Sequence, residues 1–197
     1  PPLYVNEFMA SNTVTIADEF GEFDDWVEIY NGGPSPVNLS GLNLSDNLAI
    51  PNKYTFPNVI LGPHDFLLVW CDGTPGQGVF HANFQLSATN GEQLGLFASA
   101  ANGYAVIDSL SFGPQTTDVS YGREPDGGPV WRFYSRPSPR LSNTLPIAVG
   151  EEPAPAAPGV RLEAPAPNPF LPGRTAVRLS LPRAGAVSLA LYDVRGR

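Results

Sequence analysis

The densest run of chemistry-bearing side chains is Asp18-Glu19-Phe20-Gly21-Glu22-Phe23-Asp24-Asp25, with Glu28 just beyond it. Hard cations such as Ca²⁺ take about six to eight oxygens from carboxylates and carbonyls, and a glycine-containing loop can wrap to supply them. Asp18, Glu19, Glu22, Asp24, Asp25 and Glu28 are therefore candidate calcium ligands. The spacing is not that of an EF-hand, because the glycine is misplaced and the closing bidentate glutamate is missing. The competing reading is a solvated connection in which Asp24 or Asp25 hydrogen-bonds the backbone at the start of a strand.

A second carboxylate, Glu7, stands where it could meet Glu28 or Arg123 across a sheet. Paired carboxylates do acid/base work when their pKa values are driven apart. The pattern here reads instead as a structural ion pair or edge hydrogen bond. His64 and His81 lie in turn-like contexts, show no metalloprotease spacing, and read as surface residues. The single cysteine, Cys71, ends the apolar run Phe66–Cys71 and reads as a small buried hydrophobe. One cysteine excludes an internal disulfide framework. The chain contains no G-x-S-x-G elbow and no glycine loop leading into a helix, so no catalytic constellation is assigned. The aromatics Tyr4, Trp26, Tyr30, Tyr104, Tyr121, Trp131 and Tyr134 offer a platform for sugar rings or a protein partner. Alternatively, Trp26, Trp70 and Trp131 fill the core or cover its open end.

Charge narrows the partners. Residues 1–52 hold eight of the 19 acidic side chains and none of the 11 basic ones. Such a face repels nucleic acid and anionic lipid, so neither is expected as a partner. No apolar run is long enough to span a bilayer, and no membrane insertion is expected. The chain opens on a strand-like stretch with no basic-then-apolar leader, which reads as a leader absent or already removed.

The elements that must position these residues are strands. Period-two runs rich in aromatic and β-branched residues occur at Leu3–Met9 and Asp25–Tyr30; in the second, Val27 and Ile29 face opposite to Trp26, Glu28 and Tyr30. Val37–Ser45 alternates across Gly41 and predicts a bent strand. Further strands are predicted at Lys53–Phe56, Phe66–Cys71 (central and buried on both faces), Ala82–Leu86, Gln93–Ala98, Ala105–Phe112, Val119–Tyr121 and Val130–Tyr134. Turn signals separate them at Asp72-Gly73, Asn90-Gly91, Asn102-Gly103, Gly113-Pro114 and Asp126-Gly127-Gly128. Frequent short strands with such turns indicate an all-β sandwich or barrel, and no stretch predicts a helix. Composition then shifts: residues 146–172 carry eight prolines and read as an extended linker. Thr175–Leu181 and Ala186–Val194 follow as a β hairpin. The predicted domains are 1–145, 146–172 and 173–197.

Taken in order, Val5-Asn6-Glu7-Phe8-Met9-Ala10-Ser11-Asn12, Asp24–Asn31, Val37–Leu42 with Leu44-Ser45-Asp46, Phe56-Pro57 to Leu61-Gly62-Pro63, Ser120-Tyr121-Gly122-Arg123 and Pro137–Asn143 resemble a bacterial lamin-tail domain. The resemblance implies an immunoglobulin-like β-sandwich and no single shared activity. The tail, through Ala166-Pro167-Asn168-Pro169-Phe170, Val177–Pro182 and Val187–Arg197, resembles the start of a FlgD-like or type IX sorting immunoglobulin-like domain, truncated here. That likeness implies a bacterial protein that is secreted or displayed at the cell surface. The function expected is a non-catalytic structural or binding module with a protein or glycan partner. The alternative is a calcium-dependent hydrolase accessory domain whose catalytic part lies outside this chain. An intermediate-filament tail finds no support, because no heptad coiled coil precedes the domain.

Overall fold

The computed structural model describes residues 2–144 together with 161–162 and 179–180. The first unit, Pro1–Ile147, is built from eleven strands: β1 Leu3–Met9, β2 Trp26–Asn31, β3 Val37–Asn38, β4 Asn43–Ser45, β5 Tyr54–Thr55, β6 Ile60–Leu61, β7 Phe66–Trp70, β8 Glu92–Phe97, β9 Val106–Phe112, β10 Ser120–Glu124 and β11 Val130–Tyr134. They form a five-stranded sheet ordered β11-β10-β1-β2-β7 and a four-stranded sheet ordered β5-β4-β8-β9, with β3 paired to β6. Every pairing is antiparallel. The two larger sheets pack as an immunoglobulin-like β-sandwich. Its core joins Val5, Phe8, Val27, Ile29 and Val69 of one sheet to Leu44, Leu94, Leu96 and Phe112 of the other.

One irregularity governs the larger sheet. Opposite β2, the register of β1 runs Leu3 to Asn31, Tyr4 to Tyr30 and Val5 to Ile29, then slips to Glu7 opposite Glu28 and Phe8 opposite Val27. Side chains alternate faces along a strand, so an unbroken β1 that buries Val5 in the core would send Glu7 in after it. The extra residue at Asn6 resets the parity. Leu3 and Val5 before it, and Phe8 and Ala10 after it, all join the core. Glu7 and Met9 turn to the outer face, beside Glu28 and Trp26.

That outer face is covered as well. Met9, Trp26, Leu68 and Trp70 form a second buried cluster with Ile16 packed on it. Trp26 and Trp70 therefore fill this layer, outside the sandwich core. Cys71 is buried, as its apolar setting predicts.

The strand bounds at Leu3–Met9 and Val130–Tyr134 match the sequence reading, and most others agree within two residues. Three assignments are corrected. Ala82–Leu86 is not a strand: only isolated bridges, Trp70 to His81 and Asp72 to Gln85, pair the backbone here, while Ala82, Phe84 and Leu86 pack into the core. β7 is buried on both faces at Leu68–Trp70, but it stands at the end of its sheet, and β1 holds the centre. The bent strand of residues 37–45 is two strands, β3 and β4, in different sheets, and Gly41 between them adopts φ +76. The only helical turn among the described residues is a short 3-10 turn, Ala100–Asn102.

The second unit, Ala148–Arg197, is described by one short antiparallel pairing of β12 (Arg161–Leu162) with β13 (Leu179–Ser180). The rest of the predicted linker and hairpin, including Ala186–Val194, lies outside the described residues.

Because β10 pairs directly with β1, the fold needs the chain well past the turn that follows β9. A chain ending at Pro114 should show no cooperative unfolding transition by circular dichroism, whereas one ending at Ile147 should keep it. Cooperative unfolding of the shorter chain would show β10 and β11 to be an appendage.

Candidate functional site

The six predicted calcium ligands separate into four settings. Asp18, Glu22 and Asp24 converge, each offering an oxygen within 4.8 Å of the others. Asp18 Oδ1 accepts the N–H groups of Phe20 and Glu22, which wraps the loop tightly. The other oxygens, Asp18 Oδ2 and Asp24 Oδ2, are buried without a hydrogen-bond partner among the described residues. Glu19 turns instead to His81, its Oε1 lying 3.2 Å from Nε2. Asp25 accepts the Leu86 N–H at 3.0 Å through Oδ2, tying down the segment that follows His81. Glu28 faces Glu7 on the outer face of the sheet.

His81 corrects the surface reading. It is only 2% exposed. Its Nδ1 donates to Asp72 Oδ2 at 2.6 Å, while Trp70 stacks on the ring and Phe20 meets it edge-on. Burial works against the charged imidazole, but Asp72 and Glu19 outweigh it and lift His81 above its ordinary value. Burial pushes Asp72 up in turn, yet Thr74 and His81 bring it below the usual carboxylate range. The signal in the sequence was the glycine-rich connection Asp72–His81, whose ends meet directly through their side chains.

The Glu7–Glu28 pair is a sealed polar network. Both side chains are wholly buried. Glu7 accepts the Ser120 hydroxyl, the Ser138 N–H and the Ser138 hydroxyl. Glu28 accepts Asn6 Nδ2 at 3.2 Å and the Arg140 N–H at 2.5 Å. Asp126 accepts Asn6 Nδ2, the Asn143 N–H and the Ser142 hydroxyl. Asn143 closes the ring, donating to the carbonyls of Asn6 and Arg123. Gly122 makes room for it: a Cβ there would come within 2.6 Å of Asn143 Nδ2. Arg123 does not reach Glu7. It pairs with both oxygens of Asp108 at 2.9 Å and donates to the Val5 carbonyl. Asp108 in turn accepts the Val5 N–H, so this ion pair joins β9 of the smaller sheet to β1 of the larger.

The aromatics grade from core to solvent along the β10–β11 side. Buried Phe8 contacts Phe112, Tyr121 and Trp131; Tyr121 stacks on Trp131 at 5.3 Å and meets Phe133 at 4.6 Å. Phe133 is 58% exposed, on an edge strand. The Arg123 guanidinium lies 4.7 Å over the Trp131 ring.

Burial holds Glu7, Glu28 and Asp25 above their ordinary values, Asp25 at about 6, and Glu28 is raised further by the charge of Glu7. Each contributes most to stability below its unfolded value, and the contribution is lost as pH rises through the folded one. His81 works in the same direction, whereas Asp72 withdraws its contribution only on acidification. The thermal midpoint should therefore fall by on the order of 5 °C from about pH 5 to about pH 8. Glu28→Gln, which removes the charge and keeps the shape, should flatten that profile. A midpoint that rises over this range would contradict the buried-acid account.

No helix among the described residues is long and apolar enough to cross a membrane. The comparisons with known proteins give one match, to the family described as Lamin Tail Domain, over residues 1–114. No curated protein and no solved structure matches significantly. With more than half of the sequence matched and the immunoglobulin-like sandwich in place, the chain belongs to the lamin tail domain family.

Proposed function

We propose that this chain is a non-catalytic structural and binding module of a secreted or surface-displayed bacterial protein, and that its partner, a protein or a glycan, docks on the aromatic edge of β10 and β11. The observation that carries this reading is the gradient from Phe8 through Tyr121 and Trp131 to solvent-facing Phe133, flanked by exposed Val130. Trp, Tyr and Arg in such a setting are the residue types that dominate binding energy at interfaces. A free edge strand with apolar side chains is also an open template for pairing. The carboxylate pair supports a structural role rather than hydrolysis, since Glu7 and Glu28 spend their lone pairs on serine, asparagine and backbone donors. The acidic first quarter of the chain disfavours nucleic acid.

A second reading, an accessory domain of a calcium-dependent hydrolase, draws on the convergence of Asp18, Glu22 and Asp24. Under that reading millimolar Ca²⁺ raises the thermal midpoint and EDTA reverses it. The first reading is tested by screening the chain against glycan and protein libraries. Phe133→Ala and Trp131→Ala should each weaken capture on the order of tenfold or more. Binding that both variants leave intact would place the partner elsewhere.

A further inference from the structure

Asp18, Glu19 and His81 bring their ligand atoms within 4.8 Å of one another. This set differs in kind from the all-oxygen set of Asp18, Glu22 and Asp24, because it contains an imidazole nitrogen. His81 is buried and aimed: Nδ1 is fixed by Asp72 at 2.6 Å, which directs Nε2 at the acidic loop. A carboxylate on the far nitrogen is the arrangement that sets the tautomer and orientation of metal-binding histidines. The 3.2 Å between His81 Nε2 and Glu19 Oε1 is also close to the roughly 3.3 Å that separates two ligand atoms on one tetrahedral zinc ion. Asp18 Oδ2 is buried with no hydrogen-bond partner among the described residues, and Asp18 offers a carboxylate oxygen within 4.8 Å of the other two ligand atoms. Gly78 keeps the space open, since a Cβ there would lie 3.1 Å from the imidazole and 3.2 Å from Glu19 Oε1. Trp70 and Phe20 wall the ring with apolar surface.

We propose that His81 Nε2, Asp18 and Glu19 form a binding site for a borderline divalent cation of the zinc class, with Asp72 orienting the imidazole. Mixed nitrogen and carboxylate donors favour such an ion over Ca²⁺, which takes oxygen alone. The ion takes the place of the Nε2 proton between His81 and Glu19, and that proton leaves to solvent. Water completes the coordination on the side of Glu19, which is the solvent-facing ligand. The site is independent of the aromatic edge.

The test is isothermal titration of the full chain with Zn²⁺ alone and, separately, with Ca²⁺ alone. One Zn²⁺ per chain is expected, at an affinity at least tenfold above that for Ca²⁺. Glu19→Gln and Asp18→Asn should each weaken Zn²⁺ binding tenfold or more, while His64→Ala should leave it unchanged. His81→Gln should abolish it; because that side chain is buried, its thermal unfolding is measured alongside, and the two loop variants decide the matter if it fails to fold. A zinc-dependent shift of the His81 imidazole resonances, absent in Glu19→Gln, would locate the ion. Zn²⁺ binding that the Asp18 and Glu19 variants leave intact overturns the proposal. So does the absence of Zn²⁺ binding, or equal affinity for Ca²⁺, which would assign the loop to its all-oxygen set.

Discussion

Two glutamates placed opposite each other on neighbouring strands, both without solvent, should repel and unfold the sheet that carries them. Removing a carboxylate from water costs several kcal/mol unless donors replace the water or a proton removes the charge. Here both remedies operate. Ser120, Ser138, Asn6 and the Arg140 N–H supply donors, and burial lifts both acids toward their neutral forms. Most of those donors come from residues 120–143, far along the chain. The segment Ser138–Asn143 is thus held to the outer face by the need of Glu7, Glu28 and Asp126 for partners. Satisfying the acids is what closes this end of the domain.

The same requirement explains why the folding unit runs past the residues matched by the family. Residues 1–114 contain both glutamates but neither Ser120 nor Ser138. They also contain Asp108 and the Val5 carbonyl but not Arg123, whose guanidinium joins them. β10 and β11 supply these groups and two strands of the larger sheet. A bulge at Asn6 is the local device that makes the arrangement possible, because it turns Glu7 outward while keeping Val5 and Phe8 in the core. Asn6 then serves its own bulge, bonding Glu28 and Asp126 and accepting the Gly127 N–H.

What could be read from the sequence divides along local and distant causes. Strands announced themselves by period two, and Gly73, Gly91, Gly103 and Gly127 in four of the five predicted turns adopt positive φ, whereas Gly113 in the fifth does not. The outward parity of Trp26, Glu28 and Tyr30 was also legible, but outward was not solvent. Glu28 is covered by a residue 112 positions away, and no local pattern encodes that. The acidic run divides for a related reason. Neighbours in sequence diverge once a strand begins at Trp26, so Asp25 turns to Leu86 while Glu28 joins Glu7. His81 was read as a surface residue because its context is turn-like, and only the return of the chain beside Trp70 buries it. Four of the resemblance fragments, those holding Asn6 and Glu7, Glu28, Ser120 and Arg123, and Ser138 to Asn143, converge in one network that no single piece reveals.

The acidic loop is not the loose connection its composition suggests. Ile16 plugs the cluster of Met9, Trp26, Leu68 and Trp70, and Asn12 Nδ2 bridges the carbonyls of Ile16 and Asp24. Asp118 anchors the other end, accepting the N–H groups of Thr13 and Val14 and the Thr13 hydroxyl. Carboxylates on a free loop would spread apart; these are held together by contacts that lie outside the acidic run. The effect is visible at Asp24, which burial raises first and the charges of Asp72, Asp18 and Glu22 raise further, with His81 opposing them. The clustering of negative charge is therefore imposed by apolar packing and backbone anchors, and His81 is the group through which the fold relieves it.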